Sequence, residues 1–151
     1  MNMSVQPDVK VFDASGDFVL AVEIKNKWGT DVEWALKLRR NMAAHGLIST
    51  PRYFLLALPD RFYLWRDNAY PDLELPEYEI DPLPLFKPYV GSTDEYLQNL
   101  SGEGFELLVV AWLSELLQTS ELPENEETSW LIESGLFEAI QRGHMVSEVM
   151  V

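Results

Sequence analysis

The sequence predicts an α/β domain with a mixed central sheet flanked by helices, plus a helical C-terminal extension. Two pairs of apolar runs typical of strands lie in the first half, at residues 9–24 and 53–65. Apolar residues recur at helical spacing between these pairs and again through the second half. The chain has 151 residues, the size of one ordinary domain, so residues 1–151 are interpreted as a single domain.

The first pair of runs predicts a β-hairpin. Residues 9–22 form two β-rich runs joined by a polar turn that contains Gly16. Asp8 opens the first strand, while Glu23 and Lys25 close the second. A hairpin brings its outer ends together, and strand residues two apart share a face. The three side chains are therefore expected to meet at one rim of the sheet.

Such a rim has the chemistry of a metal-dependent phosphodiesterase site. Two carboxylates and a backbone carbonyl suit Mg²⁺ or Mn²⁺, which lowers the pKa of a bound water and stabilises charge on phosphate oxygens. A lysine beside the acids can orient the attacking water or shield charge in the transition state. The alternative is structural: Asp8 caps a turn, and Glu23 and Lys25 form an exposed ion pair.

Pro7-Asp8 followed by Glu23-Ile24-Lys25, with the two acids 15 positions apart, resembles the PD-(D/E)xK motif of the restriction-endonuclease-like superfamily. The continuation Asn26-Lys27 is similar to the residues that follow the motif in many bacterial members. The resemblance covers roughly residues 7–66. It implies a restriction-endonuclease-like core and a Mg²⁺- or Mn²⁺-dependent endonuclease-like activity on DNA.

The resemblance also assigns roles to single residues. It implies that Asp8 and Glu23 are metal ligands and that the backbone carbonyl of Ile24 is a third ligand. It implies that Lys25 is the base that orients the attacking water. One departure is clear, because family members usually begin with a helix, often bearing another acid, before the first strand. Only residues 1–6 precede it here, too few for a stable helix.

Three alternatives account for the missing helix: later helices fill its place, a second subunit does, or the fold is trimmed. The apolar tail at residues 145–151 is expected to add an edge strand or a subunit contact. The missing helix and this tail together predict a homodimer.

The segment after the motif predicts a helix over residues 31–45 that Gly46 ends. Thr30 is the expected N-cap, with Glu33 three residues later as in a capping box. Basic residues on or just before this helix are candidate nucleic-acid contacts, although a solvated basic face is the alternative reading. These candidates are Lys27, Lys37 and Arg40.

The second pair of runs predicts a hairpin that turns at Pro59-Asp60. The continuously apolar run from Tyr53 to Leu58 is typical of a central strand covered on both faces. Tyr63 and Trp65 share one face of the partner strand. Core packing is the favoured role for these aromatic side chains over stacking on nucleic acid.

The second half predicts a proline-rich packed connection followed by an acidic helical part. The connection spans residues 67–92 and the acidic helical part spans residues 93–151. Helices are expected at residues 95–100, 105–119 and 130–142, the last interrupted at Ser134-Gly135. The glutamates of residues 121–127 suggest a second metal site, but a solvated surface is the favoured reading.

Charge divides the chain into two unlike halves. The net charge is −14, yet residues 1–66 carry nine basic and seven acidic side chains, a net of +2. The remainder carries two basic and eighteen acidic side chains, a net of −16. Nucleic-acid binding normally needs a basic footprint. The alternative to a nuclease is therefore a catalytically inactive PD-(D/E)xK-fold module that binds a protein partner through its acidic half.

Composition excludes several classes of site. The chain has no cysteine, which removes disulfides, thiolate zinc sites and cysteine nucleophiles. Two histidines are too few for a histidine-rich metal site. No apolar run approaches the roughly 18 residues of a membrane span, and no basic-then-apolar leader is present. The expected location is cytoplasmic, with no membrane association.

Overall fold

The computed structural model of the chain describes residues 6–44, 51–66, 75–91 and 94–147. Its sheet strands are β1 (Val9–Phe12), β2 (Phe18–Ile24), β3 (Tyr53–Leu58), β4 (Arg61–Arg66), β5 (Tyr78–Ile80) and β6 (His144–Ser147). They lie in the order β5-β4-β3-β2-β1-β6. Strands β2 and β3 are parallel and the other neighbours are antiparallel, so the sheet is mixed. The predicted α/β class is confirmed.

Helices cover both faces of this sheet. They are α1 (Val32–Ala44), α2 (Leu83–Val90), α3 (Asp94–Gln98), α4 (Gly102–Gln118), α5 (Ser129–Glu133) and α6 (Leu136–Ile140). Helix α1 packs on one face, where Ala35 and Met42 meet Phe54 and Trp65. The long helix α4 and the shorter helices pack on the other face, where they enclose the larger core.

The first hairpin forms as predicted, and its turn has a local cause. The Asp13 carboxylate accepts the backbone N–H groups of Ser15 and Asp17, each at 2.9 Å. Gly16 has φ +92°, a left-handed conformation that a side chain would strain. These contacts reverse the chain and set β1 antiparallel to β2, with Val9 opposite Val22.

Helix α1 connects the parallel pair β2 and β3, as a crossover must. Its N-cap is Asp31 rather than the predicted Thr30, because the Asp31 carboxylate accepts the N–H of Trp34 at 2.9 Å and the helix begins at Val32. Gly46, which was expected to end the helix, lies outside the described residues.

The second hairpin and its aromatic residues follow the prediction. Every residue of β3 is buried, since Leu55 belongs to the core under α4 and Leu56 to the core under α1. On β4, Phe62 contacts Trp112 edge-to-face with ring centroids 5.4 Å apart. Full burial of a side chain such as Phe62 contributes about 1.5–3 kcal/mol. Tyr63 and Trp65 are likewise core residues.

The structure differs from the prediction in the proline-rich connection. Part of that segment forms the short strand β5, which pairs with β4, and the helix α2. Pro84 lies in the first turn of α2, where no intrahelical N–H partner is required, whereas Pro88 lies inside the helix and removes one N–H donor.

Helix α4 begins earlier than predicted. Its N-cap is Ser101, whose hydroxyl accepts the N–H of Gly104 at 3.0 Å. This cap outweighs the low helix propensity of Gly102 and Gly104. The helix therefore starts at Gly102, about one turn before Phe105, which was the expected first residue.

The break between α5 and α6 is confirmed, and a contact from the sheet explains it. The buried hydroxyl of Tyr53 donates to the carbonyl of Ser134 at 2.7 Å. Gly135 follows with φ +82°, and a Cβ there would lie 3.0 Å from the Tyr53 hydroxyl. The first part of the apolar tail is also confirmed as an edge strand, because β6 pairs antiparallel with β1. Residues 148–151 lie outside the described chain.

Within the described ranges, every helix is too short or too polar to cross a lipid bilayer.

Candidate functional site

The three residues predicted to share a rim are linked by hydrogen bonds and an ion pair. Val9 pairs with Val22, so Asp8, which precedes Val9, and Glu23, which follows Val22, lie at the same end of the hairpin. The backbone N–H of Asp8 donates to Glu23 Oε1 at 3.3 Å, and the N–H of Ile24 donates to Asp8 Oδ2 at 2.8 Å. Lys25 Nζ lies 3.3 Å from Glu23 Oε2. The end of the first hairpin therefore gathers two acids and one base.

The rim is half-buried and opens to solvent on the lysine side. The Glu23 side chain is 12% exposed and the Lys25 side chain is 43% exposed. Ile24, between them, is buried in the core beneath α4, as strand alternation requires. Polar side chains thus share the accessible side of the strand while the apolar one anchors it.

Burial and like charge act together on Glu23. Burial raises the pKa of the Glu23 carboxyl, and the nearby charge of Asp8 raises it further. Lys25 opposes both effects through its charge and its hydrogen bond. Two acids directly opposite on neighbouring strands destabilise a sheet. A perturbed carboxyl beside a specific charge partner in an open site is typical of functional residues.

The strand pairing that holds the rim extends past the end of β2. The N–H of Lys25 donates to the carbonyl of Ala57 at 3.1 Å. Asn26 Nδ2 donates to the carbonyl of Leu100 at 3.1 Å, and the N–H of Gly29 donates to Asp60 Oδ2 at 3.0 Å. The loop after the motif is therefore fixed to the turn between β3 and β4 and to the segment that leads into α4.

Helix α4 brings another acid towards the rim, and sequence reasoning missed it. Burial raises the pKa of the Glu106 carboxyl, with further contributions from the charges of Asp8 and Glu103, while Lys25 lowers it. Glu106 on α4 is therefore within electrostatic reach of Asp8 and Lys25. The spacing of Glu103 and Glu106 was a visible signal, but only the tertiary fold places them here.

The two carboxylates of the rim are donors of the kind that bind a hard divalent cation. Carboxylate oxygens are the ligands that Mg²⁺ and Mn²⁺ prefer, and a cation would relieve the repulsion between Asp8 and Glu23. Across residues 6–44, 51–66, 75–91 and 94–147, no three acidic or histidine side chains are grouped closely enough to hold a metal. The described side chains therefore offer a cation at the rim two carboxylates, and Glu106 adds a negative charge farther away.

The basic residues predicted to contact nucleic acid lie outside the contacts that link Asp8, Glu23 and Lys25. Lys37 and Arg40 are exposed on α1. Lys27 is exposed, and its Nζ lies 5.9 Å from the centroid of the Trp34 ring. Arg39, between the two candidates on α1, is instead buried over the ring of Trp65. None of the three candidates makes a contact that is specific to a phosphate site.

The acidic loop at residues 121–127 has a different character. Hydrogen bonds from Glu127 N and Thr128 N to Asn125 Oδ1 shape the turn, at 2.9 and 3.1 Å. Glu124 and Glu126 are exposed and line a cavity of about 440 Å³. The favoured reading of a solvated surface fits this exposure.

Comparison of the chain with family models, with characterised proteins and with solved structures gave no match.

Proposed function

We propose that the chain is a Mg²⁺-dependent, endonuclease-like phosphodiesterase that acts on DNA and has a restriction-endonuclease-like core. One observation carries the proposal: Asp8, Glu23 and Lys25 converge at a solvent-accessible rim, on strands that hold two like charges together. Structural proteins rarely keep such a pair, because it lowers the stability of the sheet.

Each side chain has a distinct role in this proposal. Asp8 and Glu23, with the backbone carbonyl of Ile24, would hold Mg²⁺ or Mn²⁺. The cation would supply neutralising charge for the phosphate and a lower pKa for the attacking water. Lys25 is in contact with Glu23 and exposed, so its ammonium group can orient the water or shield charge on the phosphate oxygens. Glu106 adds negative potential that favours a cation at the rim.

The charge distribution limits the affinity of the protein for DNA. Residues 1–66 have a net charge of +2, whereas the rest of the chain has −16. Long-range attraction to a polyanion is therefore weak, and binding depends on local contacts such as Lys27, Lys37 and Arg40. We expect low affinity for DNA without a divalent cation, and activity that falls steeply as salt rises.

The experiment is a cleavage assay on plasmid and linear DNA with Mg²⁺ or Mn²⁺. Glu23→Gln and Lys25→Ala should abolish cleavage while the circular dichroism spectrum is unchanged. Glu126→Gln is the matched control, because it removes the charge of an exposed glutamate far from the rim in sequence. Wild-type protein that cuts no DNA with either metal contradicts the proposal, as does cleavage that survives in Glu23→Gln.

A second candidate function is a catalytically inactive module of the same fold that binds a protein partner. The acidic half favours it, and so does the exposed cavity of about 440 Å³ lined by Glu124, Glu126 and Ile132. A basic partner surface would complement this charge. Absence of cleavage, combined with a partner whose binding is lost on charge reversal at Glu124 and Glu126, would support this function instead.

A homodimer remains part of the proposal. The edge strand β6 exposes Val146, which is 53% accessible, and edge strands readily pair with a second chain. Sedimentation velocity at micromolar concentrations tests it, with Val146→Lys as the variant that should dissociate the dimer. A wild-type monomer across this range contradicts the prediction.

A further inference from the structure

A second cavity, of about 250 Å³, lies at the end of the loop that follows the motif. Its lining combines an indole, two acids, a guanidinium and aliphatic side chains: Trp28, Asp60, Arg61, Asp81, Leu83 and Leu97. Sites for small organic groups typically combine apolar walls with a few convergent polar groups. This cavity has that composition, and it is separate from the acidic loop.

Asp60, one of the residues that line the cavity, has a carboxylate oxygen without a donor. Asp60 Oδ2 accepts the N–H of Gly29 at 3.0 Å. Its other oxygen, Oδ1, is buried and has no hydrogen-bond partner among the residues described. A buried acceptor left without a donor is costly, so the Asp60 carboxylate still has hydrogen-bonding capacity that the protein does not use. Asp60 is therefore the lining residue best suited to accept a hydrogen bond from a ligand N–H group.

The cavity is close to the rim. Trp28 follows Lys25 by three residues, a span of at most about 10 Å even in an extended chain. Asp60 lies three residues beyond Ala57, whose carbonyl accepts the N–H of Lys25. This separation is comparable with the reach from one phosphate of a nucleic acid to the base attached beside it.

We propose that this cavity holds a nucleobase next to the scissile phosphate, and that it favours bases with an amino group. The inference rests on the phosphodiesterase function proposed above. Trp28 offers a ring surface on which a base stacks. Asp60 accepts a hydrogen bond from the amino group, as acidic side chains do from cytosine N4. Arg61 donates to a ring nitrogen or carbonyl of the same base.

The charge pattern favours a base over a cationic side chain from a protein partner. Asp60 and Asp81 with Trp28 would also suit a guanidinium or ammonium group. Arg61 lines the same cavity, however, and would repel a cation while it pairs with an acceptor. Only a ligand with both donors and acceptors satisfies the whole lining, and a base edge has both.

Binding of labelled single strands, followed by fluorescence anisotropy at fixed salt with Ca²⁺ present, tests this assignment without requiring cleavage. Ten-residue oligomers of deoxycytidine and of thymidine are the probes, since thymine lacks an amino group. We expect the cytosine strand to bind about tenfold more tightly. Asp60→Asn should remove this preference, and Trp28→Ala should weaken the binding of both strands.

Matched controls separate the cavity from general effects. Asp17→Asn removes an exposed acid in the β1–β2 turn and should leave the preference unchanged. Arg61→Ala alters an exposed residue, so it tests the cavity even where Asp60→Asn fails to fold. We expect it to weaken binding of the cytosine strand.

Hydrolysis of bis(p-nitrophenyl) phosphate, which contains no base, distinguishes the two proposals. Trp28→Ala should lower cleavage of the cytosine strand by a larger factor than it lowers hydrolysis of this substrate. Wild-type protein inactive on both substrates overturns the phosphodiesterase proposal, whereas the binding preference still reports on the cavity. Equal affinities for the two strands, a preference that survives in both Asp60→Asn and Arg61→Ala, or Asp60-dependent capture of an oligoarginine peptide overturns the nucleobase assignment.

Discussion

The rim and the acidic loop both present carboxylates, yet the fold places these carboxylates in different environments. At the rim, the N–H of Asp8 donates to the carboxylate of Glu23, and burial raises the pKa of Glu23. In the loop, Glu124 and Glu126 stand exposed in water on a turn held by Asn125. The number of acids does not define a site. What distinguishes the rim is that the fold prevents its acids from separating or becoming fully hydrated.

The largest expected difference between the two regions is catalytic. Glu23→Gln should lower metal-dependent DNA cleavage by at least about 10²- to 10³-fold, the usual effect of losing a group that stabilises the transition state. Glu126→Gln should leave the rate within twofold of the wild type, roughly the scatter of surface substitutions. Single-turnover cleavage rates measure both. Similar losses in the two variants would mean that the regions do not differ in function.

Lys25→Ala should reduce the rate by about 10²-fold or more, because a positioned proton-transfer or charge-shielding group is lost. Binding of Mn²⁺ should persist, since Lys25 is not a ligand. Rates measured at saturating metal separate the two effects. Loss of metal binding in this variant would assign Lys25 to the fold of the rim instead.

Glu23→Gln should raise the stability of the fold although it lowers activity. The raised pKa of Glu23 means that the folded chain holds a proton more tightly than the unfolded chain does. Stability therefore falls as pH rises from the ordinary glutamate range through the raised pKa. Glu23→Gln should remove this fall and raise the free energy of unfolding at neutral pH by about 0.5–2 kcal/mol.

Urea unfolding across a pH series measures this stability effect. Glu126→Gln, at an exposed position, should change the free energy of unfolding by less than about 0.5 kcal/mol at every pH. A destabilised Glu23→Gln at neutral pH would show that the hydrogen bond and ion pair of Glu23 outweigh its burial.

The smallest effects are shifts in titration. Asp8→Asn should lower the pKa of Glu23, because the repelling charge is removed, and Lys25→Met should raise it, because the attracting charge is removed. Carbon-13 NMR of the glutamate carboxyls follows both shifts. An unchanged pKa of Glu23 in both variants would show that the three groups are not electrostatically coupled.

The features of the site that depend on local geometry were predictable from the sequence. Gly16 and the alternation of β1 and β2 place Asp8, Glu23 and Lys25 together without knowledge of the remaining fold. The N-cap of α1 was assigned one residue early, because Thr30 and Asp31 are adjacent residues that both cap helices well. That error shifts the predicted start of α1 by one residue and does not affect the predicted site.

Contacts distant in sequence were not predictable in the same way. Glu106 approaches the rim only because α4 packs across the sheet, and its glycine-rich first turn reads as an interruption until the Ser101 cap is seen. Asp60 was expected only as a turn residue. Its bond to Gly29, across thirty-one positions, links the motif loop to the neighbouring hairpin. No local periodicity carries that information.

Titration calorimetry of Mn²⁺ into the wild type and into Asp8→Asn tests the central claim most directly. Two carboxylates that cannot separate should bind the cation in the wild type, and Asp8→Asn should eliminate the heat. Glu126→Gln should bind as the wild type does. Absence of binding heat in the wild type, or heat that is unchanged in Asp8→Asn, contradicts the assignment of the rim as a metal-dependent site.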